Sequence, residues 1–341
     1  MAYKWGPEIR PRHTKPFPMP ETSSQALQLY GQVAVPALVS QSGPEATARF
    51  LDYFTSHIRN KNTRRAYGRI VGTFMTWAQA RGLRDLREIQ PIHIAAYIEQ
   101  LTNSHAAPTP KQTLSALRML FDWLVTGQVI PNNPAHAVRG PKLSVRRGKT
   151  AVLSAEEARK LLDSIDVSTP KGLRDRALIA IMVYSFGRIG AVLSMKVEDV
   201  FVQKGRLWVR LHEKGGKDHE MPCHHNLESY LNEYIERCSL REDPEGYLFR
   251  TTGRKRVELT PTPLAQGNAY IMIGKRALEA GIMTKIGNHS FRATGITAYL
   301  KNGGTLERAA IMANHASTRT TQLYDRRSDD VTLDEVEKIG V

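Results

Sequence analysis

Residues 199–222, DVFVQKGRLWVRLHEKGGKDHEMP, decide the fold class, because here the hydrophobic period of the chain changes. Polar and apolar residues alternate around glycine turns, the pattern of half-buried strands, and Gly215-Gly216 reads as the tight turn of a hairpin. A small antiparallel sheet is expected here. Upstream, LSAEEARKLL (153–162) opens with Ser154 and Glu157 at the spacing of a capping box, and DRALIAIMVYSFG (175–187) reads as a buried helix. Downstream everything reads as helical, over roughly 225–238, 264–280, 291–301, 306–313 and 318–325. The expected fold is mainly α, with a small antiparallel β-sheet in the second of two domains.

The first domain has a different texture. In NTRRAYGRIVGTFMTWAQARGL (62–83), Ala66, Tyr67, Ile70, Val71, Phe74, Trp77 and Ala78 fall on one side of a helix, with Arg64, Arg65 and Arg69 on the other. A second stretch, PKQTLSALRMLFDWLVTGQVIPNNP (110–134), aligns Leu114, Leu117, Phe121 and Leu124, then stops at Gly127 and an Asn-Pro turn. These read as a compact helical bundle with one basic face, on which Arg64, Arg65 and Arg69 are the candidate DNA contacts. Five segments follow: a basic, proline-rich arm over 1–42, with little regular structure before Gln25; a helical domain over 43–138; a basic linker over 139–151; a second domain over 152–326; and a tail over 327–341. The linker stretch RGPKLSVRRGK (139–149) supplies Arg146, Arg147 and Lys149 as phosphate contacts. Its Gly148-Lys149-Thr150 resembles the end of a phosphate-binding loop, but Leu143 sits where that loop needs its first glycine, so nucleotide binding is set aside.

The 341 residues are 41% hydrophobic, enough for a core in each domain, and no apolar run is long enough for a membrane span. The 48 Lys and Arg against 33 Asp and Glu leave a formal charge of +15, which points to a polyanionic partner. On duplex DNA each neutralised phosphate steepens the salt dependence of binding by about 0.9 log units per log unit of salt. The 2 cysteines, Cys223 and Cys238, suit neither a disulfide framework nor a zinc site, and a reducing cytoplasm is the expected setting. In Cys223-His224-His225 the adjacent histidines, placed at a strand end, point to opposite faces and make poor paired ligands; no metal is expected.

Transesterification at a phosphodiester needs a nucleophile, cationic or hydrogen-bonding groups on the non-bridging oxygens, and an acid for the leaving 5′ oxygen. NHSFRATG (288–295) places His289 and Arg292 on one face of a helix's first turn, where the dipole favours an anion. Arg188 sits where the chain turns after the buried helix, and Lys214 lies in the EKGGKD turn. In NHASTRTTQLY (314–324), His315 and Tyr324 are nine positions apart, across a loop and a helix start capped by Ser317. Any one of these residues has an ordinary structural explanation; their order and local contexts do not.

That order resembles the tyrosine site-specific recombinases, the family of lambda integrase and Cre, over about residues 44–326. The family carries an Arg in a G-x-R-I/V-x-E-like stretch, a Lys in a G-K-G-x-K-like hairpin turn, H-x-x-R, then G-H with a Tyr nine residues on. Here these read Phe186-Gly187-Arg188-Ile189, Lys214-Gly215-Gly216-Lys217, His289-Ser290-Phe291-Arg292, and Asn314-His315 with Tyr324. Two departures stand out: Ala191 where the family has an acidic residue, which costs Arg188 a supporting carboxylate, and Asn314 in place of glycine, which alters only the turn.

The resemblance implies a two-domain enzyme, a helical core-binding domain plus an α+β catalytic domain, that cuts and rejoins DNA through a 3′-phosphotyrosyl link. Tyrosine's reference pKa is about 10, so only about one molecule in a thousand is ionised at pH 7 without help. Arg188 and Arg292 are expected to bind the scissile phosphate and favour the phenolate of Tyr324. His289 is expected to take its proton, His315 to hydrogen-bond a phosphate oxygen, and Lys214 to protonate the leaving oxygen, with Lys217 as a DNA contact and the competing assignment for that acid. One phosphoester replaces another, so no cofactor is expected. The implied partners are duplex recombination sites, a dimer on each and a tetramer in synapsis, together with an accessory directionality factor. Val331, Leu333, Val336 and Ile339 give the tail an apolar face suited to docking on a neighbouring protomer. Two other functions remain open: a DNA-binding regulator of the same fold without cleavage, and supercoil relaxation of the type IB topoisomerase kind.

Overall fold

A computed structural model of the chain describes residues 35–142, 148–213, 216–253, 258–326 and 336–339. The expectations placed on Lys214, Arg146 and Arg147, on the Lys217 side chain, and on most of the N-terminal arm and the tail lie outside these residues. The chain divides between Ser144 and Val145 into two compact units.

The first unit is helical: α1 (Ala37–Gln41), α2 (Pro44–Asp52), α3 (Lys61–Gln79), α4 (Pro91–Ser104) and α5 (Pro108–Thr126). Proline at the first position starts α2, α4 and α5, where its missing N–H costs nothing. The Asn60 side chain caps α3 by accepting from the Asn62 and Thr63 amides at 3.0 and 3.1 Å. Val71, Phe74, Leu117 and Phe121 interlock in the core. Arg49 stacks over Trp123 at 3.8 Å while the indole N–H donates to the Arg49 carbonyl at 3.0 Å, which fastens α2 to α5. One boundary shifts: an arm running to residue 42 is too long. Leu38 and Val39 are fully buried on α1, so packing overrides a composition that reads as extended when averaged over the whole stretch.

The second unit contains α6 (Ala155–Asp163), α7 (Pro170–Tyr184), α8 (Ile189–Ser194), β1 (Val200–Gln203), β2 (Arg206–Glu213), β3 (Lys217–Pro222), α9 (His225–Arg237), β4 (Arg250–Thr252), β5 (Leu259–Pro263), α10 (Gln266–Glu279), α11 (Asn288–Lys301), α12 (Leu306–Met312) and α13 (Thr318–Gln322). The Ser154 and Glu157 capping box forms, with amide-to-side-chain bonds of 3.0 and 2.9 Å. The second half of α7, from Ala177 on, is apolar and largely buried, and α11 crosses it so closely that a side chain at Gly295 would strike the Val183 carbonyl. The sheet β1-β2-β3 is antiparallel, with Val209 paired to Val200 on one side and Met221 on the other, and Glu213 opposite Lys217. Leu207, Val209, Leu211 and Glu213 face inward along β2. On the other face Arg210 meets Glu220 at 2.8 Å, and His212 bridges Asp218 at 2.7 Å and Asp199 at 3.0 Å.

The architecture is mainly helical with small antiparallel sheets. The stretch after residue 222 is not helical throughout, because β4 and β5 form a two-stranded ribbon, Arg250 opposite Pro263 and Thr252 opposite Leu259. LTPTP hides its strand character because two prolines cannot donate to a ladder, and it is tolerated as an edge strand. His224 and His225 also differ from expectation. They begin a helix rather than end a strand, so their rings lie together at 4.0 Å, with His224 stacked on Tyr184 and its Nδ1 capping the Asn226 amide. No described helix is long and apolar enough to cross a membrane.

Candidate active site

Arg188 follows α7 through the turn Ser185-Phe186-Gly187 and stands at the N-cap of α8. The Ser185 hydroxyl holds that turn, donating to the Ile181 carbonyl at 2.5 Å and accepting from the Gly187 amide at 3.2 Å. Phe186 has a left-handed backbone (φ 53°), a conformation that costs a non-glycine residue on the order of 1 kcal/mol or more. Its buried ring, packed with Ile296, Leu300, Ala309 and Ala313, offsets that cost. Arg188 remains partly solvent-accessible, and its Nη1 donates to Glu213 at 2.5 Å.

Arg292 comes from α11 and is only 2% exposed. Its guanidinium donates to two backbone carbonyls, that of Phe186 through Nη1 and that of Ala313 through Nη2 at 2.5 Å, and the Tyr324 side chain lies within its electrostatic reach. Both carbonyls adjoin left-handed backbone, at Phe186 itself and at Asn314 (φ 46°) just after Ala313. The asparagine in place of glycine therefore keeps the turn, since Asn tolerates this region better than most side chains. Burial and the neighbouring Arg188 charge push the Arg292 pKa down to about 10, which leaves it protonated at neutral pH.

His315 follows that turn and stacks on Tyr324, with ring centroids 5.8 Å apart and an interplanar angle of 10°. Its Nδ1 pairs with the buried Thr321 hydroxyl at 2.8 Å. Ser317 caps α13 by accepting from the Arg319 amide at 3.2 Å, as its position suggests, and α13 delivers Tyr324 in a turn just past its end. The Tyr324 backbone is fixed from two directions: its carbonyl accepts from Thr297 Oγ1 at 2.8 Å, and its amide donates to Thr321 at 2.9 Å. The preceding carbonyl, of Leu323, accepts from the Gly148 amide at 3.0 Å, and a side chain at 148 would collide with it. Gly148 thus serves a close backbone approach beside Tyr324.

His289 lies one turn before Arg292 with its outer edge in solvent. Desolvation of the rest of the ring, together with the Arg292 and Arg188 charges, lowers its pKa. The same three causes push His315 down to about 4. Both imidazoles are therefore neutral at pH 7, free to accept or donate one proton. The stability linked to His315 is complete above its unfolded value of about 6.5 and is lost as pH falls through about 4. In an NMR titration of the free protein, the His315 ring is expected to protonate near pH 4. Binding a DNA phosphate beside it should raise that midpoint, and an ordinary midpoint near 6.5 would contradict this environment.

The candidate DNA-binding arginines separate. Arg64 donates through Nε and Nη2 to the Ile58 carbonyl, at 3.1 and 2.9 Å, closing the π-helical turn Tyr53–His57. Arg65, Arg69 and Lys149 are exposed. Sequence reasoning passed over Glu213, Thr297 and Thr321. Only Glu213 leaves a legible signal: the alternation that turns Leu207, Val209 and Leu211 inward carries it to the same face.

Comparison with known proteins follows the same division. The model of the phage integrase family matches residues 151–330, and that of the phage integrase N-terminal SAM-like domain matches residues 48–128. The chain is 24% identical over 259 residues to the tyrosine recombinase XerC of Escherichia coli O157:H7, covering 76% of this chain and 83% of that protein. To XerC of Yersinia pestis it is 26% identical over 261 residues, covering 76% and 82%. Among solved structures, XerH recombinase bound to palindromic difH in a post-cleavage complex superimposes with a TM-score of 0.65 at 21% identity, over 91% of this chain and 90% of that one. A lambda integrase(75–356) dimer bound to a COC′ core site gives a TM-score of 0.60 at 21% identity, over 84% and 97%.

Proposed function

The chain belongs to the phage integrase family and is a tyrosine recombinase, and on that premise we propose which of its residues carry out strand cleavage and how. The observation that carries the assignment is the gathering of Arg188, Arg292, His315 and Tyr324 from separate segments into one electrostatic neighbourhood.

Tyr324 Oη attacks the scissile phosphorus. A phosphorus–oxygen bond forms to the tyrosine, and the bond to the 5′ oxygen breaks. Arg188 and Arg292 hold the non-bridging oxygens and stabilise the charge that builds on them. The tyrosine proton passes to His289, neutral and at the solvent edge. In this scheme the Thr321 hydroxyl donates a hydrogen bond to His315 Nδ1, which leaves the ring's own proton on Nε2 to hydrogen-bond a phosphate oxygen. Lys214 protonates the departing 5′ oxygen, with Lys217 the alternative acid. Attack of another strand's 5′ hydroxyl on the phosphotyrosine reverses each step, and because the phosphoester is conserved, no ATP enters.

The partner is duplex DNA. Arg65 and Arg69 on α3, with Arg146, Arg147 and Lys149, supply phosphate contacts in this reading, while Arg64 supports the helix that carries them. Lambda integrase is known as a dimer on a core site and as a tetramer on a Holliday junction. For this chain we place a dimer on each site and a tetramer in synapsis, with the tail of one protomer docked on the next; Val336 and Ile339, both exposed, supply part of its apolar face. Isoenergetic exchange has no intrinsic direction, so an accessory directionality factor completes the scheme. The setting is the cytoplasm, at the chromosome.

A plasmid assay tests the function. Substrates carry one or two copies of the inverted-repeat site sought beside the gene. Recombinant circles are expected only when two sites are present. Efficient relaxation of one-site plasmids without recombinants would instead identify a topoisomerase, and binding without any strand cleavage a regulator.

A further inference from the structure

Glu213 ends β2, in the register that turns Leu207, Val209 and Leu211 into the core, and its side chain is 4% exposed. A carboxylate in that position is costly unless a cation answers it, and its partner is Arg188 Nη1 at 2.5 Å. The motif to which Arg188 belongs has its acidic residue three positions on, where this chain has the buried Ala191 on α8. The same family pattern has glycine before the hairpin lysine, where this chain has Glu213. Set against that pattern, this chain lacks the carboxylate on α8 and carries one at the end of the strand.

We propose that Glu213 is the positioning residue for Arg188, replacing from β2 the carboxylate absent at 191. The inference rests on the assignment of Arg188 to the scissile phosphate. A free arginine side chain samples many rotamers, and a fixed carboxylate removes much of that freedom before DNA arrives. Among the described residues the Arg188 guanidinium is engaged only through Nη1, so its other N–H groups can meet a phosphate, and its partial exposure keeps them reachable.

The test is single-turnover cleavage of a suicide substrate by wild type, Glu213→Gln, Arg188→Lys and the double variant, with DNA affinity and thermal stability measured alongside. Misplacing a phosphate-binding group by about 1 Å costs on the order of 10²-fold, so E213Q is expected to cleave about that much more slowly at near-unchanged DNA affinity. The double variant is expected to cleave no more slowly than R188K, since the carboxylate acts through the arginine. Restoring the acid in Ala191→Glu/E213Q should recover part of the rate. Cleavage by E213Q within about twofold of wild type, or losses that multiply in the double variant, would overturn the proposal. The R188K arm keeps the two apart: slow cleavage by R188K with E213Q unimpaired overturns the positioning role alone, whereas unimpaired cleavage by R188K overturns the assignment of Arg188 to the phosphate.

Discussion

Tyr324→Phe is expected to abolish the covalent protein–DNA adduct, by at least about 10³-fold, while DNA affinity and thermal stability stay close to wild type. The substitution removes one oxygen. The ring still stacks on His315, and the backbone is still held by Thr297 and Thr321, none of which depends on the hydroxyl. Arg292 keeps both of its carbonyl partners. A gel-resolved suicide-substrate assay reads the adduct, and fluorescence anisotropy reads affinity. An adduct that survives in the phenylalanine variant would remove Tyr324 from the role of nucleophile.

Arg292→Met is expected to fail in both respects, and that combination distinguishes it from Y324F. Arg292 is a structural strut as well as a phosphate ligand. Without its guanidinium the Phe186 and Ala313 carbonyls are left unpaired in a buried site, at about 1–3 kcal/mol each. At about 2–4 °C per kcal/mol for a unit of this size, the melting temperature should fall by roughly 10 °C. Cleavage should fall by about 10²–10³-fold from the lost charge stabilisation, before any loosening of the Phe186 and Asn314 turns is counted. Arg292→Lys keeps the charge without the planar fork and should lie between the two. Thermal unfolding together with single-turnover cleavage checks this; an R292M protein as stable as wild type would show that the carbonyls do not need the arginine.

Much of this was legible in the sequence because the relevant signals are local. The alternation over 199–222 specifies the three-stranded sheet, and Ser154, Ser317 and the Gly127 stop mark helix ends through contacts within a few residues. The catalytic candidates were read from motif order rather than from any single side chain. What remained hidden depends on contacts between distant segments. Gly148 looked like a fragment of a phosphate loop, yet its reason is the Leu323 carbonyl. Arg64 looked like part of a basic face, yet its guanidinium closes the turn that precedes its own helix. The β4-β5 ribbon was hidden by its prolines, and α1 by the composition around it. The weak point at Ala191 is met by a carboxylate whose inward register was readable, but whose partner lies 25 residues away.

The measurement closest to the central claim is identification of the residue that carries the DNA. Wild-type protein trapped on a suicide substrate is digested, and the nucleotide-bearing peptide is sequenced by mass spectrometry. The assignment predicts a peptide containing Tyr324, joined through its Oη to a 3′-phosphate, with a free 5′ hydroxyl on the released strand. DNA attached to any other residue, or to Tyr324 through a 5′-phosphate, would contradict it.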